Sequence, residues 1–483
     1  MTPKVTRAGD RGLLADFGPN VAALDLHARA AALRARDDVI VCIVGHQSLY
    51  VIFRGMPNLD FDDVPPITIT PRAHLIDVDF SGPDLDEMLA HAHVTREAFL
   101  ARVPSLRLTA RYLGFRAGFA YLEGWPDEWR RPRRPRSRNL VPRGSFAIAG
   151  TMAGFYPIDS PGGWNILGRT NATLWDPNTE PPNRFAPGDV IELRAVSIDS
   201  FDAPPVDRVV ANGEVVAEVV MPGQLTTIVG ARDWKRAAYG VSPGGAFDAM
   251  AAASANCAVG NGDVPSLECV LVAPRLRFRV AKVAAFCDGS GVVRTFRLSA
   301  GEELDIGRFH GGLRGYLAIE GGLNEMRAQF AEGPHVLRKG DELRAAGNVA
   351  APSTNELLDE RHDRNVIRVV AGPHEAPPLP EEWEVTSELN RIGIRLRLRA
   401  GGGPAAEPPA LHQTAGVHDL RELPSCGMQF GTLQWHPDGS LVAMGPDHPV
   451  TGGYLQPATV ISEDLWKLAQ LAPGERIRFE VLR

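Results

Sequence analysis

Six arginines fall within the nine residues Arg130-Arg131-Pro132-Arg133-Arg134-Pro135-Arg136-Ser137-Arg138, in a chain whose formal net charge is −7. The prolines hold such a run extended, so successive guanidinium groups point to different sides. One side can meet a carboxylate, bicarbonate or phosphate with bidentate geometry, with Arg133 and Arg136 as candidates. Equally, the run can be an edge strand kept from sticking by its charge. The tetrapeptide Ser-Pro-Gly-Gly occurs twice, at Ser160-Pro161-Gly162-Gly163 and Ser242-Pro243-Gly244-Gly245. Each copy follows a tyrosine (Tyr156, Tyr239) and leads into an aromatic residue (Trp164, Phe247). Glycine reaches positive φ without steric cost, so such a turn either presents successive N–H groups to an anion or simply reverses the chain. The expectation is of two equivalent loops in two related halves.

Two more segments combine polar groups with glycine. Asn390-Arg391-Ile392-Gly393 sets an amide and a guanidinium at a turn, and Asp447-His448-Pro449-Val450-Thr451-Gly452-Gly453-Tyr454 sets an acid, an imidazole and a hydroxyl beside a double glycine. A cluster of the second kind can supply a general base and an oxyanion donor, or be only a loop. No phosphate-binding G-x-x-x-x-G-K-[ST] loop, G-x-S-x-G elbow, H-E-x-x-H motif, Rossmann fingerprint or biotin-accepting Met-Lys-Met occurs. The five cysteines are widely spaced with no C-x-x-C pair, which argues against a zinc knuckle or a disulfide framework and fits a reduced, cytoplasmic protein with no bound metal. The acidic balance excludes an overall nucleic-acid or membrane-surface binder, and no apolar run reaches bilayer-spanning length.

The elements that must position these groups are mostly short strands. Gly and Pro total 88 of 483 residues (49 and 39), which favours strands and turns over long helices. Residues 1–75 read as a small α+β subdomain, with a helix near 21–36 and strands at 39–44 and 48–53. Residues 76–200 read as a barrel entered through two short helices, 201–223 as a linker, and 224–483 as a second barrel-type region, irregular at 349–363 and looped at 401–409. A turn made of Gly, an acid and an apolar strand start recurs at Gly188-Asp189, Gly301-Glu302, Gly340-Asp341 and Gly474-Glu475, as if both halves close with one device. The fold class expected is mainly β with an α+β N-terminal part, two barrel halves in tandem.

These stretches, in this order, resemble a known pair. Residues 113–122, the Pro-Arg repeats, Val141-Pro142-Arg143-Gly144-Ser145, Tyr156-Pro157, Ser160 to Trp164 and Gly168-Arg169-Thr170 are similar to the family of the 5-oxoprolinase B component (kinase-inhibitor Kip). Residues 226–248, Glu268, Tyr316-Leu317-Ala318, Asn390 to Leu396 and Thr451 to Tyr454 are similar to its partner, the C component. The resemblance implies a natural fusion of the two, each with a cyclophilin-like barrel, the pair that also forms the carboxyltransferase region of urea carboxylase. It implies processing of a small amide or lactam in a cleft between the barrels, with ATP and magnesium used through a separate 5-oxoprolinase A-like partner or an unfamiliar site. Carboxyl transfer from biotin on a separate carrier, and a non-catalytic regulatory role, are the alternatives; an oligomer is compatible with each.

In that frame Arg133, Arg136 and Arg169 bind the anionic group, with Ser160, Trp164 and Tyr454 beside it. The N–H groups at Gly162, Gly163, Gly244 and Gly245 stabilise developing charge, Asp248 or Asp447 acts as base, and Asn390 with Arg391 orients substrate. The sequence departs from the C-component pattern at 228–236, where Val-Gln-Asp-x-Gly-Arg is usual and Ile228-Val229-Gly230-Ala231-Arg232-Asp233 stands, and at Gly244, which replaces a serine. Arg232 and Asp233 are expected to restore a charge pair from shifted positions.

Overall fold

The computed structural model describes residues 2–64, 66–201, 213–325, 330–331, 333–347, 363–380, 382–398 and 423–482. The loop expected at 401–409, nearly all of the irregular stretch at 349–363 and much of the expected linker lie outside these residues. The described residues are mainly β and build four units.

In the N-terminal unit the strands Lys4–Arg7, Gly12–Asp16, Ser48–Phe53 and Val39–Val44 form an antiparallel sheet in that order. Ser48–Phe53 is buried at every position. Both faces are covered there, which is why this strand shows no polar alternation. The helix Ala23–Arg34 packs Leu26, Ala30 and Leu33 on one face, while Val41, Ile43, Tyr50 and Ile52 on the other meet Ala237, Cys426 and Val450 from the C-terminal half.

Two seven-stranded barrels follow one plan. Going round the first, the order is Ala73–Val78, Val190–Ala195, Leu108–Leu113, Ala120–Glu123, Met152–Phe155, Ser145–Ala149 and Asn165–Arg169. Its first two strands are parallel, and the bridge Asp79 to Arg169 brings the last strand back to the first. Going round the second, the order is Val366–Ala371, Arg476–Leu482, Trp383–Leu389, Gly393–Leu398, Leu441–Met444, Thr432–Trp435 and Leu455–Val460, closed and again with its first two strands parallel. Numbered along the chain, both circles read first, seventh, second, third, fifth, fourth, sixth. Each barrel also carries a two-stranded ribbon from corresponding connections, Arg138–Val141 with Ser160–Gly162, and Cys426–Gly427 with Thr451–Gly452. The closing strands Val190–Ala195 and Arg476–Leu482 both follow the recurring Gly-acid turn, whose glycines Gly188 and Gly474 hold φ of +93° and +86°.

The third unit stacks a four-stranded sheet on a six-stranded one and covers the latter with the helix Ala249–Ala258. Val215–Met221 is a central strand of the smaller sheet, paired on both sides, so that part of the expected linker is a structural element.

The duplication corrects the expected equivalence of the Ser-Pro-Gly-Gly loops. The first copy lies in the ribbon of the first barrel, and its topological counterpart is Thr451-Gly452-Gly453-Tyr454. The second copy belongs to the third unit, ahead of its helix. The barrels touch at this level: a Cβ on Gly114, in the turn after Leu108–Leu113, would collide with Thr451 Oγ1.

That contact makes the docking of the barrels testable. Gly114→Ala should overpack the junction at a cost of about 1–3 kcal/mol, read as a lowered thermal midpoint, and adding Thr451→Ala should recover part of it. Strictly additive losses would show that the two residues do not meet. Acid should act on the second barrel through Asp464, which is buried and accepts from the Arg368 N–H (2.7 Å), Arg368 Nη2 (2.7 Å) and Lys467 Nζ (3.0 Å). Burial pushes its pKa up, but the bonds from Arg368 and Lys467 outweigh burial and the net direction is down. Its stabilisation is therefore complete above the unfolded aspartate pKa and is lost as pH falls through the lower folded value. Asp464→Asn should lower the midpoint at pH 7 and flatten this acid limb.

Candidate functional site

In the first barrel most of the arginine run is bound to the protein itself. Arg134 Nη1 and Arg138 Nη2 each donate to Asp84 Oδ1 at 2.7 Å, and the Ile166 N–H donates to Asp84 Oδ2 at 2.7 Å. Arg130 pairs with Asp127 and Arg131 with Glu87. These contacts stitch the run to the helix Leu85–Ala92 and to the strand that follows Trp164. Arg133 and Arg136 are exposed and form no ion pair with described residues. Arg169 lies elsewhere, donating to Arg143 O at 2.8 Å and lying 4.0 Å over the Phe201 ring. Ser160 is buried, and no described partner takes its Oγ. Gly162 abuts the Tyr156 hydroxyl, and Trp164 packs edge-on against Phe119 and Tyr121. Neither Gly162 nor Gly163 adopts a left-handed φ, so this copy is extended strand and its edge and not an anion-cradling turn.

The denser chemistry is at the seam between the third unit and the second barrel. Arg391, on the turn before Gly393–Leu398, sends Nη1 to Glu268 Oε1 (2.7 Å), Nε and Nη2 to the two oxygens of Asp447 (2.7 and 3.0 Å) and Nη2 to Gly245 O (2.8 Å). Glu268 is buried in the strand Ser266–Val270 and accepts on Oε2 from Tyr316 (2.8 Å) and the Phe247 N–H (2.9 Å). Burial opposes its charge, yet Arg391 and Arg314 hold its pKa below the usual range. Burial also opposes charge on Arg391, and its two carboxylates reverse that, raising its pKa.

The remaining expected residues take structural positions. Asp248 is fully buried and caps the helix Ala249–Ala258, accepting from the Ala251 N–H (2.9 Å) and from Gln470 (2.8 Å), so it is no base for an external substrate. Asn390 Oδ1 accepts from the Ile392 and Gly393 N–H groups and shapes the turn that presents Arg391. Tyr454 stacks on His436 at 4.2 Å. His448 is buried, uses Nδ1 on Pro449 O (2.7 Å) and is pushed by burial to a pKa of about 4, so it stays neutral and does not pair with Asp447. Arg232 and Asp233 form no pair. Arg232 donates to Gly244 O and Ala246 O (both 3.2 Å), while Asp233 caps the short helix Trp234–Tyr239.

Gly244, Gly245, Arg391 and Asp447 are brought together, and they line a cavity of about 50 Å³ with Gly230, Ser242, Arg236, Glu325 and His335. A single water needs roughly 10–15 Å³ on this measure, so the space suits a group of a few heavy atoms. Gly244 and Gly245 hold φ of +66° and +85°, but the Gly244 N–H donates to Pro446 O (3.2 Å) and the carbonyls of Gly244 and Gly245 face arginines. The expected row of free N–H groups therefore gives way to a loop held by its acceptors.

Sequence reasoning missed Glu325 and Arg236. Glu325 Oε1 occupies the space that a Cβ on Gly230 would take. The residue as a whole is exposed and its Oε1 is set against Gly230; desolvation, with the charge of Asp233, raises its pKa despite the charge of Arg236 nearby. The signal available was the glycine itself, a vacated side-chain volume beside the loop. Segment 239–242 joins this seam to the first barrel: Gly240 lies against Leu113 and Gly114, Val241 packs with Ala117, Asn183 Nδ2 donates to Tyr239 O (3.0 Å), and Ser242 Oγ donates to His448 O (2.7 Å).

Comparison with known proteins agrees with this architecture. Residues 239–481 match the model of the carboxyltransferase domain, subdomains A and B, and residues 3–185 match that of subdomains C and D. The B component of the 5-oxoprolinase of Escherichia coli O157:H7 is 31% identical over 169 residues, which are 32% of this chain and 78% of that protein. The C component of the 5-oxoprolinase of Haemophilus influenzae is 28% identical over 277 residues, 50% of this chain and 84% of that protein. The urea amidolyase of Lachancea kluyveri is 28% identical over 58% of this chain, which spans only 17% of that protein's length. The crystal structure of TTHA0988 superposes with a TM-score of 0.82 at 27% identity over 97% of this chain and 99% of that one. Among the described residues no helix is long and apolar enough to cross a membrane. With both halves matched, and with the two barrels and their preceding units in the order found, the chain belongs to the carboxyltransferase-domain family, as a fusion of halves like the B and C components of 5-oxoprolinase.

Proposed function

We propose that this protein acts on a small amide or lactam as the B/C component of a 5-oxoprolinase-type system, working with a separate 5-oxoprolinase A-like partner that uses ATP and magnesium. The observation that carries this reading is the cavity at the seam. It has room for a few heavy atoms, a guanidinium (Arg236) to polarise a carbonyl, and a carboxylate (Asp447) held by both its oxygens on Arg391, with lone pairs left to accept from an amide N–H. Glu325 is the base, taking the role expected of Asp248 or Asp447. Its raised pKa makes its ionised form more basic than an ordinary carboxylate. Arg133 and Arg136, exposed at the first barrel, are free to receive an anionic group carried by the substrate or by the partner.

Carboxyl transfer to a urea-like amide, with biotin on a separate carrier, is the second reading. The carboxyltransferase-domain match and the urea amidolyase relatives favour it, and it uses the same base and the same carboxylate.

A thermal-shift screen against 5-oxoproline, urea, allophanate, biotin, bicarbonate and ATP with magnesium should show a raised midpoint with an amide or lactam, since a ligand of the native state stabilises it. No shift with any amide, in the wild type and at saturating concentrations, would overturn the reading. With the A-like partner present, Glu325→Gln should lower turnover about 100- to 10,000-fold with little change in thermal midpoint. Because a base must be ionised and this one titrates above the usual glutamate range, wild-type turnover should fall as pH drops through that raised pKa. Retention of turnover by Glu325→Gln would remove Glu325 from the mechanism.

A further inference from the structure

We propose that the junction of the N-terminal unit, the third unit and the second barrel holds a second binding site, for a small organic monoanion with an apolar body. A cavity of about 420 Å³ opens there, within the range that takes small molecules. Its walls are largely apolar, with Ile52, Trp234, Phe247, Phe430, Leu465 and Trp466 contributed by all three units.

Arg232 stands in this wall. Its guanidinium lies 4.5 Å over Phe430 and 5.7 Å from the Trp234 ring centre, and its protein hydrogen bonds are the two 3.2 Å contacts to the carbonyls of Gly244 and Ala246. Among the described residues no carboxylate lies within ion-pair distance of it. A guanidinium has five N–H donors, and Nη1 has no described acceptor, so a carboxylate entering the cavity meets an unmatched cation. Burial and the like charge of Arg391 draw its pKa to about 10, which leaves it charged at neutral pH.

The other charged groups at this cavity are Asp10, Arg11 and Glu463. Asp10 is engaged by the Ser462 N–H at 3.0 Å. With two acids against one further cation at the rim, a second negative charge on the ligand is disfavoured, and the ring-lined walls select an apolar body over a hydrated one. Arg232 does not line the cavity of the proposed active site. It holds the carbonyls on either side of Gly245, so occupancy of this site acts on the glycine loop from behind.

Titration of the full chain with phenylacetate, phenylacetamide and acetate, followed by calorimetry and by tryptophan fluorescence, tests the site without reference to activity. Phenylacetate should bind at least tenfold more tightly than either the neutral amide or the short acid. Arg232→Met should bring phenylacetate down to the level of phenylacetamide. Met250→Trp, which fills the cavity and leaves Arg232 in place, should remove binding of both aromatic probes and covers the case in which Arg232→Met fails to fold. Equal affinity for acid and amide in the wild type, no phenylacetate binding at millimolar concentration, or binding that survives Met250→Trp would each overturn the proposal.

Discussion

Arg391 carries its charge into a seam where most of its surroundings are protein, and the placement holds only because two carboxylates and a carbonyl arrive with it. Glu268 comes from the middle strand of one sheet, Asp447 from a connection of the second barrel and the Gly245 carbonyl from the loop before a helix. Taking charges of this kind out of water costs several kcal/mol per ion, and their attraction offsets that cost only with good geometry and further hydrogen bonds. Tyr316 and the Phe247 N–H supply those bonds to Glu268, and Arg314, itself buried over the Phe247 ring at 4.2 Å, adds a second cation nearby. The barrel, the third unit and the glycine loop are thus fixed to each other by one polar cluster. Removing any charged member strands the others in low dielectric, and so the cluster specifies one relative placement of the units.

The tandem plan follows from a simpler constraint. A seven-stranded barrel whose first and last strands run parallel must return the chain across one end before closing, and both barrels do so with a left-handed glycine followed by an acid. That device was legible because positive φ restricts residue choice and the following strand is apolar at alternate positions. The Ser-Pro-Gly-Gly repeat misled for the complementary reason. Four small residues specify a turn without specifying its neighbours, and Thr451-Gly452-Gly453-Tyr454, which shares only the double glycine and an aromatic with the first copy, is the true counterpart. Pairing partners decide equivalence, and they lie far away in sequence: Ser160 pairs with Val141, and Gly452 with Cys426.

The site was partly readable. Arg391, Asp447, Gly244 and Gly245 stood out by residue type, and they do converge. Asp248 had the right chemistry, but the run of alanines after it, Ala249, Ala251, Ala252 and Ala253, is a helix that needs a cap, and local backbone demand decided its role. Glu325 could not be assigned by type, because it sits far along the chain from the loop it serves. It becomes interpretable only when Gly230 is seen to lack the side chain whose volume Glu325 fills. The arginine run was ambiguous on paper since extended Pro-Arg repeats suit either reading. The structure divides it by partner, four members matched to acids and two left facing solvent.

Backbone planarity links the two arginines that grip the glycine loop. In a trans peptide the carbonyl and the N–H of the next residue point in opposite directions. Arg391 binds the Gly245 carbonyl, and Arg232 binds those of Gly244 and Ala246, so the N–H groups of Gly245, Ala246 and Phe247 are each turned away from the guanidinium that holds their peptide. The Phe247 N–H finds Glu268 by this means. A β-carbon at 245 would strike the backbone of Arg232, and a residue other than glycine would resist the left-handed φ at both 244 and 245. The double glycine is therefore required by the left-handed φ at both positions and, at 245, by the Arg232 backbone behind it, while Arg391 and Arg232 hold the loop's carbonyls and with them the wall of the cavity.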